Sequence, residues 1–460
     1  MAERYNAIVV GGGHNGLTTA AYLAKAGLKT LVLERRSILG GATLTESPVP
    51  GFKFSVASYL VSLLRPQVIR ELDLSKHGLQ MAPSVGTYTP HWDGYLDRRT
   101  DHADTIREIR KWSHRDADNY DDFKQTVTDI TRFIRPAIDL PAPDPYGDPQ
   151  EWLAYAGLAK EFGHLPLRTK GALLDLITGS AYDFLSRWFE GEPLVGTMSA
   201  SGIIGTFLGI KSPGTGMVFL HHYFGEIDGS FREWALPRGG TGALIHAMVR
   251  LFQDLGGEIR LNSPVERITL ANGRADGVVV GGQTLAFDMV ASNADVVHTY
   301  QRLLGQEPRG RKEGARLAAK RHSMSLFVIY FGTKGHYPDI KHHTILLGER
   351  YEGLLTDIFQ KKVLGEDFSI YLHRPTATDP SLAPSGCDTF YALAPVPHLD
   401  SGTDWSAQAE PMRQAVARRL SETVLPGLEE NLQTSKVVTP QTFHDRLWSY
   451  KGAGFGQEPL

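Results

Sequence analysis

The hydrophobic pattern at the start of the chain predicts a strand, a tight turn, a helix and a second strand in succession. Ala7 to Val10 is apolar on both faces, as expected of a central strand in a parallel sheet. Leu17 to Ala26 has apolar and small residues at helical spacing, and "KTLVLE" reads as the second strand. The glycine-rich stretch "VVGGGHNG" joins the first strand to the helix. The opening segment is therefore predicted to be a βαβ unit with a glycine turn.

The glycine turn has the spacing of a phosphate-binding loop. Gly11, Gly13 and Gly16 form G-x-G-x-x-G, which allows a tight turn, close approach of a pyrophosphate and close helix packing. Asn15 lies in the same turn and is included among the predicted cofactor contacts. Glu34 follows Gly16 by 18 residues, where a carboxylate accepts hydrogen bonds from both ribose hydroxyls and repels the extra phosphate of NADP. The alternative is a glycine turn in a sugar-binding or ligand-free α/β unit.

Length and composition exclude several classes of function. At 460 residues the chain is too long for one compact core, so at least two domains are expected. The 48 basic and 51 acidic residues nearly balance, so net charge calls for neither nucleic acid nor an anionic membrane. The single cysteine, Cys387, excludes an internal disulfide and dithiol chemistry, so electron transfer needs a bound cofactor. A reducing, cytoplasmic location is expected, because the first apolar run leads directly into the glycine turn.

The middle of the chain has helical rather than parallel-sheet patterns. "DADNYDDFKQTVTDITRFIRPAIDL" and "KGALLDLITGSAYDFLSRWFEGEPL" are amphipathic and predict a helical cap over the cofactor. The uncharged stretch between Glu192 and Lys211 contains too many small polar residues for a membrane span and is predicted to be a buried or substrate-lining helix with a loop. Five prolines are predicted to mark a surface loop between the two helical patterns: Pro136, Pro141, Pro143, Pro145 and Pro149.

The later part of the chain predicts strands again. Ser323 to Gly332 is an apolar run of strand-forming residues, and "DFSIYLHRP" and "DTFYALAPVP" follow as two more strands. Together they predict an antiparallel sheet that floors a substrate chamber. Glu258 to Leu261 reads as another strand, followed by a hairpin around "ANGRADG".

The sequence directly after Glu34, "RRSILGGATLTE", resembles the large flavoprotein superfamily of amine oxidases and carotenoid desaturases. The resemblance implies that Gly40 and Gly41 run along the FAD pyrophosphate toward the flavin. That superfamily has an arginine where this chain has Ala42, so backbone N–H groups are expected to carry more of the binding. Arg35 and its neighbour Arg36 either contact a phosphate or are solvated loop charges.

A distant stretch, Leu236 to Val280, also resembles this superfamily and implies the same cofactor, FAD. By this resemblance Val265 touches the adenine through its backbone, and Val290 to Asp295 returns the chain to the cofactor domain. The alternative for Val265 is an ordinary core valine.

The predicted fold class is α/β. A Rossmann-like FAD-binding domain, with a parallel sheet, helices and a β-meander, is expected from residues 1–75 and 235–300. An inserted α+β substrate domain with its helical cap is expected from residues 76–234 and 301–440, and residues 441–460 are expected to return toward the FAD domain.

The last third of the chain, in stretches such as "SLFVIYFGTK" and "LWSYKGAGFGQEPL", resembles the bacterial phytoene desaturase family. The first 300 residues are closer to the pyridine-nucleotide-disulfide-oxidoreductase-domain-like branch of the superfamily. The resemblance implies desaturation of phytoene or a related isoprenoid by hydride transfer to flavin N5, without a strong dedicated base. Quinone or oxygen is the expected electron acceptor, with peripheral membrane contact through the cap. The family continues beyond "GAGFGQEPL", so the sequence is expected to be a fragment.

Other functions remain open. A flavin-dependent amine or alcohol oxidase would carry carboxylates or an aromatic cage facing the flavin. An isomerase would use reduced flavin without net oxidation, and a flavin-free binding protein would retain only the fold. Two histidine pairs, His221 with His222 and His342 with His343, are predicted to be structural, because adjacent rings point apart and no carboxylates complete a metal site.

Overall fold

The computed structural model describes residues 4–83, 86–91, 93–99, 101–138, 140, 144, 146, 149–227, 230–231 and 234–458. The strands of these residues are β1 (Arg4–Val10), β2 (Thr30–Leu33), β3 (Thr43–Val49), β4 (Phe52–Ala57), β5 (Met81–Pro83), β6 (Thr87–His91), β7 (Gly94–Arg98), β8 (Glu226–Ile227), β9 (Ser230–Phe231), β10 (Ala235–Pro237), β11 (Glu258–Arg260), β12 (Val265–Ala271), β13 (Arg274–Val280), β14 (Gln283–Ser292), β15 (Ser325–Lys334), β16 (His343–Leu346), β17 (Ile370–His373), β18 (Cys387–Val396) and β19 (Leu432–Val438). The α-helices are α1 (His14–Lys25), α2 (Pro66–Glu71), α3 (His102–Arg110), α4 (His114–Ile138), α5 (Pro149–His164), α6 (Leu167–Thr178), α7 (Ala181–Trp188), α8 (Glu192–Ser199), α9 (Thr215–His221), α10 (Gly242–Asp254), α11 (Val296–His298), α12 (Pro308–Ala318), α13 (Tyr351–Thr356), α14 (Trp405–Thr423), α15 (Leu428–Asn431) and α16 (Pro440–Leu447).

The first sheet has six strands in the order β11-β2-β1-β14-β13-β12. Its first four strands are parallel, with Val10 opposite Leu33 on one side and Ser292 on the other. The last three strands form an antiparallel meander. Asn272 and Gly273 turn its first hairpin with φ of +52° and +76°, a conformation that this residue pair favours. The predicted Rossmann-like sheet with a β-meander is confirmed.

Helices α1 and α10 pack side by side against this sheet. Leu17 and Ala21 of α1 share a buried cluster with Leu244 and Met248 of α10. Helix α1 begins at His14, earlier than the apolar pattern predicts, because Gly13 has an extended conformation and serves as the N-cap. Its first turn therefore belongs to the glycine turn rather than to the apolar stripe.

The second sheet has seven strands in the order β19-β15-β18-β17-β16-β6-β7. Strand β6 runs parallel to β16, and the other neighbours are antiparallel. All residues of β15 except Lys334 are buried, because α14 covers one face and β4 packs on the other. The ring of Phe327 stacks on Trp405 of α14 with centroids 5.7 Å apart. The predicted antiparallel sheet is present and includes the three strands expected from the sequence.

The helical cap consists of α3 to α9 around a buried aromatic cluster. Two details differ from the sequence prediction. Pro136 lies in the last turn of α4 rather than in a loop, whereas Pro141, Pro143 and Pro145 lie outside the described residues. The second helical pattern is divided into α6 and α7 because Ser180 caps α7 through the Asp183 N–H group.

The uncharged stretch after Glu192 forms the buried helix α8 and the turns after it, as predicted. Across the residues that the structure describes, every helix is too short or too polar to span a lipid bilayer.

The two large sheets are built from different parts of the sequence. The six-stranded sheet uses residues 4–33 and 258–292, whereas the seven-stranded sheet uses residues 87–98 and 325–438. The domain boundaries drawn from the sequence stay a prediction.

A buried carboxylate at the start of β18 links the seven-stranded sheet to its neighbouring loops. Asp388 is fully buried and accepts hydrogen bonds from Thr376 (2.7 Å), the Tyr337 backbone (2.8 Å) and Arg374 (3.1 Å). Burial alone would raise the pKa of Asp388, but these donors and the Arg374 charge lower it below the ordinary value. The ionised carboxylate therefore stabilises the folded state.

We expect Asp388→Asn to lower the free energy of unfolding by about 3–5 kcal/mol, because it leaves a buried guanidinium without its counter-charge. The contribution of Asp388 is present above the pKa of the unfolded carboxyl group and is lost as the pH falls through the lower folded pKa. The difference between wild type and variant should therefore narrow in acid. Urea unfolding at several pH values measures this, with exposed Asp339→Asn as the control. An equal difference in the free energy of unfolding between wild type and variant at all pH values would contradict this pH dependence.

Candidate dinucleotide site

The turn between β1 and α1 accommodates only glycine at its critical positions. Gly11 has a φ of +96°, and a Cβ at Gly16 would lie 2.1 Å from the Gly11 carbonyl oxygen. Because Gly13 caps α1 without a side chain, the first N–H groups of the helix remain available to an anion. Asn15 is exposed in that first turn. The turn has the shape that a pyrophosphate requires.

Glu34 lies at the carboxyl end of β2 beside the turn. Its Oε2 accepts the Gly12 N–H group and its Oε1 accepts the Arg36 N–H group, both at 2.9 Å. These bonds fix the orientation of the buried carboxylate, and each oxygen retains a lone pair for a further donor. Glu34 thus has the position that a ribose-binding carboxylate needs.

Val265 lies close to Glu34, although the two are far apart in sequence. The Ser263 N–H group donates to the Glu34 carbonyl oxygen at 2.8 Å, and Val265 begins β12 two residues later. Val265 is buried in the same apolar cluster as Val10 and Leu33. The two segments that resemble FAD-binding sequences therefore meet at one end of the six-stranded sheet.

The second glycine pair packs directly on the first turn. The Gly40 N–H group donates to the Gly12 carbonyl oxygen at 2.9 Å, and a Cβ at Gly41 would lie 3.3 Å from the Gly13 Cα. Gly40 and Gly41 both have positive φ, +118° and +57°. The two loops form one cradle, and this cradle fits a dinucleotide pyrophosphate.

Arg35 is held by the last turn of α16. Its guanidinium donates to backbone carbonyls of α16, including Asp445 at 3.1 Å, and lies 4.2 Å above the Trp448 ring. It is therefore not a solvated loop charge, and its contact with a cofactor stays a prediction. Arg36 instead borders a small cavity beside Gly41.

Four buried or partly buried tyrosines connect the glycine cradle to the seven-stranded sheet. The Ser58 N–H group donates to the Ala42 carbonyl at 3.0 Å, which places the adjacent Tyr59 next to the glycine pair. The Tyr59 ring lies 4.7 Å from Tyr391 and 5.1 Å from Tyr371. We call Tyr59, Tyr330, Tyr371 and Tyr391 the tyrosine cluster.

The tyrosine cluster forms an uncharged wall. Burial raises the pKa of Tyr59 to about 12 and raises those of Tyr371 and Tyr391 well above the ordinary value. The phenols therefore stay neutral at physiological pH. The sequence analysis did not identify these residues as part of a site.

Three histidines lie next to the tyrosine cluster. His343 of β16 faces His373 of β17 across the sheet. His342 lies between them, with its Nδ1 3.3 Å from His343 Nδ1 and its Nε2 3.0 Å from His373 Nε2. The expectation that the His342 and His343 rings point apart is wrong, because His342 turns inward at the start of β16. We call these residues the histidine chain.

The sequence analysis also missed His373. The sequence contained a signal for His373, because Tyr371 and His373 are two residues apart in a predicted strand and therefore lie on the same face. His222 behaves as predicted for a structural residue, since its Nδ1 bonds to the Val218 carbonyl at 2.9 Å.

Two protein families match the chain. The NAD(P)-binding Rossmann-like domain matches residues 9–72, and the flavin containing amine oxidoreductase family matches residues 156–458. The lycopene-forming phytoene desaturase of Pseudescherichia vulneris is 35% identical over 98% of this chain and 89% of that protein. Pyridine nucleotide-disulfide oxidoreductase domain-containing protein 2 of Rattus norvegicus is 30% identical over 98% of this chain and 82% of that protein.

Solved structures support the fold. An oxidoreductase from Methanosarcina mazei aligns with a TM-score of 0.60 at 17% identity, covering 94% of this chain and 87% of that one. Cyclohexylamine oxidase from Brevibacterium oxydans aligns with a TM-score of 0.55 at 15% identity, covering 94% and 84%. At this identity the structures show a shared fold alone, whereas the near full-length sequence similarity decides the family. The chain belongs to the phytoene desaturase family of the flavin-containing amine oxidoreductases.

Proposed function

We propose that the protein is an FAD-dependent desaturase of a long apolar isoprenoid such as phytoene. The observation that carries the proposal is the junction of the two glycine loops, Glu34 and the start of β12 at one end of the six-stranded sheet. Family membership supports the same function, since relatives over nearly the whole chain are phytoene desaturases.

The residues of the cradle divide the work of holding FAD. Gly11, Gly13 and Gly16 leave room for the pyrophosphate, which the α1 N-terminus stabilises. Glu34 accepts the ribose hydroxyls, and the backbone near Val265 borders the adenine. FAD, when bound, supplies the acceptor for a hydride.

The tyrosine cluster suits an apolar substrate. Neutral, mutually packed rings exclude water next to the reacting carbon atoms and offer no counter-charge to a cation. Quinone or oxygen is the proposed terminal electron acceptor.

Amine oxidation is the second candidate function. An amine oxidase would hold its substrate in an aromatic cage, and the tyrosine cluster partly resembles such a cage. Ring centroids 4.7–5.4 Å apart leave no slot for an ammonium group between Tyr59, Tyr330, Tyr371 and Tyr391. The desaturase function is therefore favoured. An isomerase would differ by leaving the mass of the substrate unchanged.

The helical cap carries the proposed membrane contact. Leu153 of α5 and Leu167 and Leu174 of α6 are 70%, 85% and 56% exposed. Trp152 and Ile177 are also exposed on these helices. Lys160 lies on α5, where its charge suits lipid headgroups. Large apolar side chains that are exposed together favour a lipid surface over water.

Expression in cells that make phytoene tests the desaturase function. We expect coloured polyenes, with each product lighter than phytoene by two hydrogens for every new double bond. The control is Gly16→Val, which cannot form the glycine turn because its Cβ would meet the Gly11 carbonyl oxygen. Unchanged phytoene beside a flavin-loaded wild-type protein would contradict the proposal.

Glu34→Gln should weaken FAD binding roughly 10- to 100-fold, because about 1.5–3 kcal/mol is typical for a hydrogen bond to a charged group. Quenching of flavin fluorescence during titration of the apoprotein measures the dissociation constant. Glu313→Gln, an exposed helical change far from the cradle in sequence, is the control. Equal affinity in wild type and Glu34→Gln would refute the ribose contact.

The double variant Leu153→Glu, Leu167→Glu should bind vesicles of neutral and anionic lipid at least tenfold more weakly. Each change removes about 1 kcal/mol or more of apolar transfer energy and adds a charge. Co-sedimentation with vesicles measures this, and Leu255→Glu at the end of α10 is the matched control. Undiminished binding by the double variant would place the membrane contact elsewhere.

A further inference from the structure

The histidine chain shares its protons as one unit. A neutral imidazole has one N–H group and one lone pair. Burial lowers the pKa of His342 to about 4 and lowers those of His343 and His373 well below the ordinary value, so all three rings are neutral at physiological pH. Because His342 bonds to its neighbours through opposite nitrogens, it must donate to one and accept from the other.

Only two proton arrangements satisfy both bonds. In the first, His373 donates to His342 and His342 donates to His343, which leaves a bare lone pair on His373 Nδ1. In the second, every bond is reversed. The backbone of Gly86 raises the pKa of His343, as a nearby acceptor does, although burial keeps that pKa well below the ordinary value. The first arrangement is therefore favoured, because it places the His343 proton on Nε2, the nitrogen that does not face His342.

The bare nitrogen belongs to a ring that packs next to the tyrosine cluster. His373 is buried, and its Nδ1 has no hydrogen-bond partner within the described part of the chain. Its ring lies 5.3 Å from the Tyr59 ring, which adjoins the glycine pair. An unpartnered lone pair in a dry position is costly unless it has a role.

We propose that His373 Nδ1 is the proton acceptor of the desaturation, and that His342 and His343 are positioning residues that keep this nitrogen unprotonated. The proposal rests on the desaturase function proposed above. It adds a base to a reaction for which the sequence indicated none.

The step balances as a loss of two hydrogens. Bound FAD would accept a hydride, that is, one hydrogen of the substrate together with the electron pair of its C–H bond. The neighbouring C–H bond then breaks, its electron pair forms the new C=C bond, and its proton bonds to His373 Nδ1. The Nε2 proton of His373 can pass to His342, and the Nδ1 proton of His342 to His343, so the positive charge spreads along the chain.

A weakly basic imidazole is sufficient for this role. A carbon next to a carbocation releases its proton readily, so the acceptor needs an available lone pair more than a high pKa. The low pKa of His373 has the further effect that the lone pair is free over the whole physiological pH range.

The geometry of the histidine chain suits a row of hydrogen-bonded rings better than a metal site. One nitrogen from each of the three rings lies within 4.8 Å of the others. Four-coordinate Zn²⁺ with bonds of about 2.0–2.1 Å needs ligand atoms roughly 3.4 Å apart. His342 also directs its two nitrogens to different neighbours rather than to one point.

The first test reads the tautomer of His373 in the wild-type, FAD-loaded protein and uses variants only to assign the signals. Nitrogen NMR of protein labelled at histidine should show His373 with a protonated Nε2 and an unprotonated Nδ1. His373→Gln and His342→Gln spectra assign the signals. A protonated Nδ1 on His373 in the resting protein would overturn the proposal.

The second test measures the rate at which the new C=C bond forms from phytoene in a single turnover without oxygen, followed by the absorbance of the product. We expect His373→Gln to lower this rate about 100-fold or more, with little change in substrate binding. His342→Gln should have a smaller effect and should also alter the His373 tautomer seen by NMR. His222→Gln, which changes a half-buried histidine in the cap, is the control and should keep the wild-type rate.

The outcomes separate this inference from the function on which it rests. Wild-type flavin that phytoene does not reduce would remove the desaturase function and the acceptor role together. Normal formation of the desaturated product in both wild type and His373→Gln would retain the function and overturn the acceptor role alone. Stoichiometric Zn²⁺ binding by wild type, lost in His373→Gln, would replace the proton acceptor with a metal site.

Discussion

The structure depends on a contact between two stretches of backbone, the turn after β1 and the glycine pair after β2. The hydrogen bond from Gly40 to Gly12 and the approach of Gly41 to Gly13 bring the main chains so close that a Cβ at Gly41 would lie only 3.3 Å from the Gly13 Cα. Strand β3 begins two residues after Gly41. The contact therefore fixes where the chain leaves the dinucleotide fold and where the hairpin of β3 and β4 starts.

Ala57, at the end of that hairpin, carries the constraint into the seven-stranded sheet. It has a φ of +63°, an uncommon conformation for a residue with a side chain. Its N–H group donates to the Tyr330 hydroxyl at 3.2 Å, and its carbonyl oxygen accepts from the Tyr391 hydroxyl at 3.1 Å. Two strands of the second sheet thus hold one strained residue, and this places Tyr59 between the cradle and the histidine chain.

The parts of the site that depend on local sequence could be predicted. The glycine turn, the position of Glu34 and the Asn272–Gly273 hairpin follow from hydrogen bonds and φ preferences within a few residues. The histidine chain could not be predicted in the same way, because it needs the register of β16 on β17. His373 faces His343 only because these strands pair in that register. Arg35 was ambiguous for a similar reason, since its partner Trp448 is distant in sequence.

At position 42 the chain has alanine instead of a cation, and cations that are distant in sequence can supply the missing positive charge. The resemblance to the flavoprotein superfamily implies an arginine there, and without it the pyrophosphate would have backbone donors alone. In this fold Arg36 and Arg446 border the small cavity beside Gly41. Together with Lys436 they surround a single acid, Glu46, whose pKa is lowered by Arg446 and Lys436 against the opposing effect of burial.

Three cations around one carboxylate leave an excess of positive charge next to the cavity that Gly41 borders. Two of these cations come from the end of the chain, on β19 and α16. The charge that the loop lacks is therefore present in the folded protein, but only once the carboxyl-terminal strand and helix have packed against the hairpin of β3 and β4. Cofactor binding and the docking of this last segment should consequently stabilise each other, because each supplies charge that the other needs.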